Sequence, residues 1–396
     1  MYKIVHINTF PNKATGAIMF SIHNQVKKKD NWESFVVWGR GREPKDDVHE
    51  YNMQCGLEMM LHGALSRVFD NTGFYSNYAT EQLLKKLDFL MPDIIQLHNL
   101  HGYYINVKML FEWLKHRNIP VVWTLHDCWP FTGHCAYFDY ANCSKWKTGC
   151  YDCIQKKSYP ASFLFDNSRQ NWQHKKEIFC YKKLWLVTPS KWLHDLVGMS
   201  FLQESPCCVI HNGIDTNIFK PSTYTYTTNG KFKLLGVASE WTPRKGLQDI
   251  IKIFRMLDPK QVEITVVGLT EKQIQSLPKG INGMKRTDNV EQLVKLYKDA
   301  DLFFNPTYED NFPTTNIEAL ACGTPVCTYH TGGSIESVNE SNGFIVQKSD
   351  LKAVKKIIED NLHNRKCGLQ LNTDIQAISQ ETMAEQYVKL YNDILL

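Results

Sequence analysis

Short apolar runs that end in turn residues alternate with segments of helical periodicity from the first residues onward, and this rhythm constrains the chain more than any other feature. Runs lie at Lys3 to Ile7, Phe35 to Trp38, Ile94 to Leu97, Val121 to Leu125, Leu184 to Val187 and Cys208 to His211. This is the pattern of parallel strands joined by crossover helices. A second series follows the polar, Thr/Tyr-rich stretch Ser222 to Gly230: strands at Phe232 to Val237, Val262 to Val267, Leu302 to Asn305 and Val326 to Tyr329, with helical patterns at Leu247 to Leu257, Val290 to Tyr297 and Asn316 to Ala321. The expected architecture is α/β: two Rossmann-like, doubly wound domains in tandem, whose strand carboxyl ends face a central cleft that binds ligand. A terminal amphipathic helix carries Met383, Tyr387, Leu390, Tyr391 and Ile394 on one side.

Length agrees, since 396 residues exceed one ordinary core. The expected division is a first domain over 1–221, a linker over 222–230, a second domain over 231–378 and the terminal helix over 379–396. The 43% of hydrophobic and 22% of charged residues suit a packed protein. No stretch approaches the roughly 18 uninterrupted apolar residues of a membrane span, and Met1 to Asn8 reads as a strand rather than a signal peptide, so a cytoplasmic protein is expected. The net charge of +4 is too small to argue for nucleic acid. Lys-Lys pairs at 27/28, 85/86, 156/157, 175/176 and 182/183 all fall in the first half. They read either as solvated helix faces or as a surface for anionic lipid headgroups.

The most informative segment runs from Leu302 through Asn-Pro-Thr-Tyr-Glu-Asp-Asn-Phe-Pro-Thr-Thr-Asn-Ile-Glu to Ala-Leu-Ala-Cys-Gly-Thr-Pro-Val326. It reads as strand, loop, helix, glycine stop and strand, so the loop feeds a helix N-terminus. Backbone N–H groups from Asn311 through Phe312, Pro313 and Thr314 to Thr315 mark a donor set for phosphate or sugar oxygens, proline itself having none. Glu309, Asp310 and Glu318 add acceptors for sugar hydroxyls. Thr315-Asn-Ile-Glu318 also fits a capping box, in which Glu318 would only satisfy a backbone N–H.

This segment resembles the signature of the family 4 glycosyltransferases of the GT-B fold: an acidic residue, seven others, Glu, then Ala-(Leu/Met)-Ala-Cys-Gly-Thr-Pro-Val. Further matches lie along the chain, at Val209-Ile-His-Asn-Gly-Ile-Asp215, Lys245-Gly246, Thr331-Gly-Gly-Ser-Ile-Glu336 and Asn342-Gly343. The resemblance implies that Glu318 holds ribose hydroxyls, that Asp310 and the amides after it hold the donor sugar, and that Lys245 binds the diphosphate. Asp310 stands where the family usually has Glu, with Glu309 just before it, so either carboxylate is a candidate for the sugar. The family's arginine before the lysine is absent, and Arg244 is the candidate substitute. A departing diphosphate needs fixed cations of this kind if no catalytic metal serves it.

In the first half, the run Val121 to Trp129 delivers His126 and Asp127 to a strand's carboxyl end. By resemblance His126 positions and polarises the reacting sugar, with Asp127 as its orienting partner. Gly16 corresponds to a family loop near the donor, and His98 and His101 are acceptor-side candidates. Cys135, Cys143, Cys150 and Cys153 lie in a Cys-rich insertion over about 128–160. Only the last two have metal-finger spacing, so the group reads as a structural zinc site, as free thiols or as a disulfide.

The expected function is a retaining hexosyltransferase that uses a UDP- or GDP-sugar and a saccharide or lipid-linked saccharide acceptor. The resemblance places it in capsule, exopolysaccharide or lipopolysaccharide synthesis, peripherally on the inner face of the membrane. The alternatives are a nucleotide-sugar epimerase on the same fold and a zinc-thiolate RNA- or protein-binding module.

Overall fold

The computed structural model describes residues 1–41, 49–53, 56–221, 230–369, 371 and 374–396. Two units make up the described chain: Met1–His211 with Gln380–Leu396, and Asn212–Ser379. Residues 222–229, most of the expected linker, lie outside the described residues.

The first unit holds a seven-stranded sheet of β1 (Tyr2–Asn8), β2 (Trp32–Trp38), β3 (Glu50–Asn52), β4 (Ile94–Leu97), β5 (Val121–Thr124), β6 (Leu184–Thr188) and β7 (Cys207–Val209). Their order is β3-β2-β1-β4-β5-β6-β7, and every neighbouring pair is parallel. All of β4 and β5 is buried. This follows from a parallel sheet covered on both faces, and it explains why these runs carry no polar alternation.

The second unit repeats the plan with β8 (Phe232–Val237), β9 (Val262–Val267), β10 (Ile281–Met284), β11 (Leu302–Asn305), β12 (Val326–Tyr329) and β13 (Gly343–Val346), ordered β10-β9-β8-β11-β12-β13. Both units are therefore Rossmann-like and doubly wound. In each, chain order reverses between two central neighbours, β1 and β4 in one and β8 and β11 in the other. The connections leave these neighbours toward opposite faces, which opens a crevice at their carboxyl ends.

Strands β3, β10 and β13 were not legible in the sequence. They are short edge strands of three or four residues with partly exposed positions; Gly283 interrupts one and Gly343 opens another. An edge strand buries too little for an apolar run to be required.

The terminal helix Gln380–Leu395 belongs to the first unit. Met383, Tyr387 and Tyr391 enter its core beside Ile4, Ile18 and Ile94. The tyrosine hydroxyls also find partners there, Tyr387 at 2.9 Å from Thr124 Oγ1 and Tyr391 donating to Gln96 Oε1 at 3.0 Å. The segment Asn212–Pro221, assigned from sequence to the first domain, packs in the second. The Ile214 amide donates to Ile378 O at 3.0 Å, and Phe219 lies in the core with Tyr297.

Candidate functional site

Three loops of the second unit, following β8, β11 and β12, converge on Asp310. After β8 the chain makes a short helical turn, Pro243–Lys245, and leaves it through Gly246 at φ +78°. A Cβ at Gly246 would stand 2.1 Å from Pro306 O, so only glycine lets this turn press against the loop after β11. The Tyr308 amide then donates to Arg244 O at 2.8 Å. After β12, the Gly333 amide donates to Asp310 O at 3.0 Å, and Thr331 Oγ1 donates to Tyr308 O at 2.7 Å.

This framework sets Lys245 Nζ 2.5 Å from Asp310 Oδ2. The Arg244 guanidinium donates to Glu309 O and lies 3.9 Å from Asp310 Oδ1. Burial raises the Asp310 pKa, but Lys245 and Arg244 outweigh it and hold the carboxyl below its ordinary range. Lys245 is shifted down, because its desolvation and the neighbouring Arg244 outweigh Asp310. Glu309 is fully buried.

The helix expected from Asn316 begins earlier, at Thr314, and ends at Ala321. Pro313 is its N-cap and provides no side-chain cap. The capping-box reading of Thr315 and Glu318 is thereby corrected, since Thr315 is already inside the helix. Instead, Glu318 Oε2 accepts from the Tyr297 hydroxyl at 3.0 Å, and the Thr314 side chain also bonds to it. Burial pushes the Glu318 carboxyl up, because these neutral hydroxyls compensate it less than a cation would. In the loop before the helix, the Asn311 amide donates to Asp310 Oδ1 at 3.2 Å and Phe312 O accepts from Asn212 Nδ2 at 3.2 Å.

Two contributors escaped the sequence reading. Tyr297 is fully buried and reaches Glu318 from the helix Val290–Asp299, where it counts simply as an apolar position. Asp249 accepts from the hydroxyls of Tyr308 at 2.6 Å and Tyr329 at 2.8 Å, tethering the loop after β11. The available signal for Asp249 was a lone carboxylate on the apolar face of the helix Leu247–Met256.

In the first unit, His98 follows β4 and His126 follows β5, with His98 Nδ1 3.0 Å from His126 Nε2. The expected pairing of Asp127 with His126 is corrected. Asp127 Oδ2 holds His101 Nε2 at 2.9 Å, and its other oxygen accepts from the Trp129 amide at 3.0 Å. His101 Nδ1 lies 3.0 Å from the Tyr159 hydroxyl. Burial lowers the pKa of His98 well below the ordinary value and that of His126 to about 4, so both rings are neutral at pH 7. Gly16 lies in the helix Ala14–Val26, where a Cβ would stand 2.3 Å from Pro11 O; its smallness serves the packing of its own loop.

Among the described residues no group of three or more His, Cys, Asp or Glu side chains is placed to hold a metal ion. Cys135, Cys143, Cys150 and Cys153 are free thiols. Cys150 Sγ accepts from the Gly133 amide at 3.2 Å, and Cys135 and Cys153 share a hydrogen bond that makes Cys153 the more acidic of the two. The insertion is filled by aromatic packing, with the Phe138 and Trp146 rings stacked at 4.7 Å.

Comparison with known proteins agrees with this geometry. The family model described as "Glycosyl transferases group 1" matches residues 225–380, and that described as "Glycosyltransferase Family 4" matches residues 61–218. The colanic acid biosynthesis glycosyl transferase WcaC of Escherichia coli (strain K12) is 26% identical over 389 residues, covering 91% of this chain and 92% of that protein. Among solved structures, sucrose-phosphate synthase from Thermosynechococcus elongatus superposes with a TM-score of 0.74 at 14% identity, over 100% of this chain and 99% of that one. HepE from Anabaena, in complex with UDP and glucose, gives 0.65 at 15% identity, over 99% and 100%. The fold and the site thus define a glycosyltransferase of GT-B type. The chain belongs to the family 4 glycosyltransferases.

Proposed function

We propose that this enzyme moves a hexose from a nucleoside diphosphate sugar to a saccharide or lipid-linked saccharide acceptor, with retention at the anomeric carbon, in cell-surface polysaccharide synthesis. The observation that carries the proposal is the junction of Lys245, Arg244 and Asp310 beside an uncapped helix start, with Glu318 on the same helix. Such a junction offers cations for a diphosphate, and amides and carboxylates for hydroxyls, within one crevice of the second unit. The relative named for colanic acid synthesis and the fold neighbour that holds UDP and glucose support the same substrate class.

In this proposal Lys245 and Arg244 hold the diphosphate. Asp310, rather than the fully buried Glu309, takes donor-sugar hydroxyls together with the backbone of the loop that enters the helix at Thr314, and Glu318 takes the ribose. The bond from the anomeric carbon to the phosphate oxygen breaks, and negative charge grows on the diphosphate against fixed cations. The acceptor oxygen bonds to the same carbon from the same face, and its proton passes to the departing phosphate oxygen. This route requires neither a metal ion nor a protein nucleophile. In the first unit, the neutral His126 and His98 and the His101–Asp127 pair supply polar partners for sugar hydroxyls. Among the described residues no helix is long and apolar enough to cross a membrane, and we place the enzyme in the cytoplasm at an anionic membrane surface.

A thermal-shift series with UDP-, GDP-, ADP- and CMP-sugars tests the donor assignment. A true donor at a hundred times its dissociation constant stabilises by about 2.7 kcal/mol. Lys245→Ala should lose that shift. Failure of every nucleotide sugar to raise the melting temperature, or an undiminished shift in the variant, refutes the proposal.

A further inference from the structure

The helix Gly56–Phe69 turns its apolar stripe outward. Leu57, Met60, Leu61, Leu65 and Phe69 recur at the three- and four-residue spacing of one helix face. All five are exposed, Leu57 by 79% and Met60 by 67%. The buried side carries His62, Gly63 and Ser66 instead. His62 anchors it, with Nδ1 2.7 Å from Ser76 Oγ and Nε2 accepting from the Gly73 amide at 3.1 Å. Met59 packs against the core and His62 on the Tyr75 and Tyr103 rings, so polar and aromatic contacts from this side hold the helix and leave the wider apolar face unused.

A second segment widens the apolar face. The amides of Phe163 and Phe165 donate to Arg67 O at 2.7 Å and Val68 O at 3.0 Å, laying Phe163-Leu164-Phe165 along the end of the helix. These three side chains are 57% to 65% exposed, and the Phe165 ring stacks on Phe69 at 5.6 Å. Scattered exposed hydrophobics are ordinary, whereas a contiguous set marks an interaction surface.

The border of the face is basic. Arg67 lies on the helix itself, Lys156 Nζ donates to Leu164 O at 3.1 Å with Lys157 next in the chain, and Lys145 Nζ donates to Tyr151 O at 3.0 Å. The carboxylates nearby are Glu58, which accepts from the Tyr78 and Ala79 amides, Asp166, which accepts from the Cys153 and Ser168 amides, and Asp152; all three stay negative, and the cations outnumber them. A second copy docked two-fold on this face would set cations against cations. Lipid phosphates offer the opposite charge.

We propose that this face docks on an anionic lipid bilayer, with the leucines and phenylalanines at the acyl boundary and the basic side chains on headgroup phosphates. Tyr159, in the same segment, connects the face to the acceptor-side group through its hydroxyl on His101. The docking surface deepens the proposed lipid-linked acceptor. It rests on that reading for its purpose and not for the binding itself.

Co-sedimentation of the full chain with vesicles tests it. Wild type should partition at least about tenfold more strongly onto equimolar phosphatidylglycerol and phosphatidylcholine than onto phosphatidylcholine alone. Leu61→Glu with Phe165→Glu should abolish that partition without moving the melting temperature, and Lys156→Glu with Lys157→Glu should weaken it by about tenfold. The donor-induced thermal shift is measured on the same variants and should persist, so loss of the shift in wild type strikes the donor assignment while vesicle binding stands. Wild type remaining in the supernatant with anionic vesicles overturns the docking surface. So does a wild-type dimer in light scattering that the first double variant dissociates, since a second copy would then cover the face.

Discussion

Lys245 and Asp310 stand 65 positions apart in the chain, yet their charged atoms meet at 2.5 Å where the loops after β8 and β11 cross the reversal point of the second sheet. The acid keeps the cation in place, and in the proposed reading a diphosphate would meet a lysine already fixed and partly desolvated. Lys245→Ala is expected to lower kcat/KM by about 10²–10³, the scale of one lost transition-state donor. Steady-state kinetics beside circular dichroism check that the fold survives. Wild-type turnover would reject the assignment.

The same desolvation sets a pH limit. Because the pKa of Lys245 is below the ordinary lysine value, it loses its proton at lower pH than a free lysine, and kcat/KM should fall on the alkaline side before about pH 10.4. Lys245→Arg keeps its charge and should move that limb upward. A pH–rate profile that is identical in the two proteins contradicts this account.

Glu318 depends on Tyr297 for its setting. Glu318→Ala should remove most transfer. Tyr297→Phe deletes one hydrogen bond worth about 1 kcal/mol and should raise the donor KM about fivefold with little change in kcat. An equal fall of kcat in Tyr297→Phe would instead place the hydroxyl in the chemical step.

Buried neutral histidines should give the protein an acid-sensitive fold. The pKa is lowered to about 4 for His126 and about 3 for His62, and well below the ordinary value for His6 and His98, with burial the leading cause each time. Below about pH 6.5 the unfolded chain takes up protons that the folded chain refuses, so stability falls as pH falls, by about 1.4 kcal/mol per unit for each group until its folded pKa is reached. Both His6 nitrogens are buried without a partner. His6→Met should therefore flatten the acid limb of a melting-temperature profile and cost little at pH 7. A steeper acid limb in that variant would count against the explanation.

The hydrogen bond from Cys135 lowers the pKa of Cys153. Among the four cysteines of the insertion, iodoacetamide should label Cys153 first near neutral pH, and Cys135→Ala should shift its labelling profile to higher pH. Peptide mapping by mass spectrometry reads the order of labelling.

What the sequence determined by itself was whatever repeats with a local period or sits in a contiguous motif. The apolar runs specify ten of the thirteen strands, because strands buried on both faces must be apolar throughout. The loop from Glu309 to Glu318 is one continuous segment, so its acids, its amides and the helix it feeds are legible together. The edge strands β3, β10 and β13 were not legible, because half-exposed positions place little demand on composition, whereas the edge strand β7 was found through its apolar run Cys208 to His211. Only tertiary structure decided which distant groups became partners: Asp127 with His101, Tyr297 with Glu318, and Asp249 with Tyr308 of the loop after β11 and Tyr329 at the end of β12. These pairings depend on the order in which strands lie side by side, and strand order is set by packing across the whole sheet. The outward face of Gly56–Phe69 has the same origin. Its periodicity is that of a core helix, and it is the polar anchoring of His62 by residues beyond the helix that turns the stripe outward.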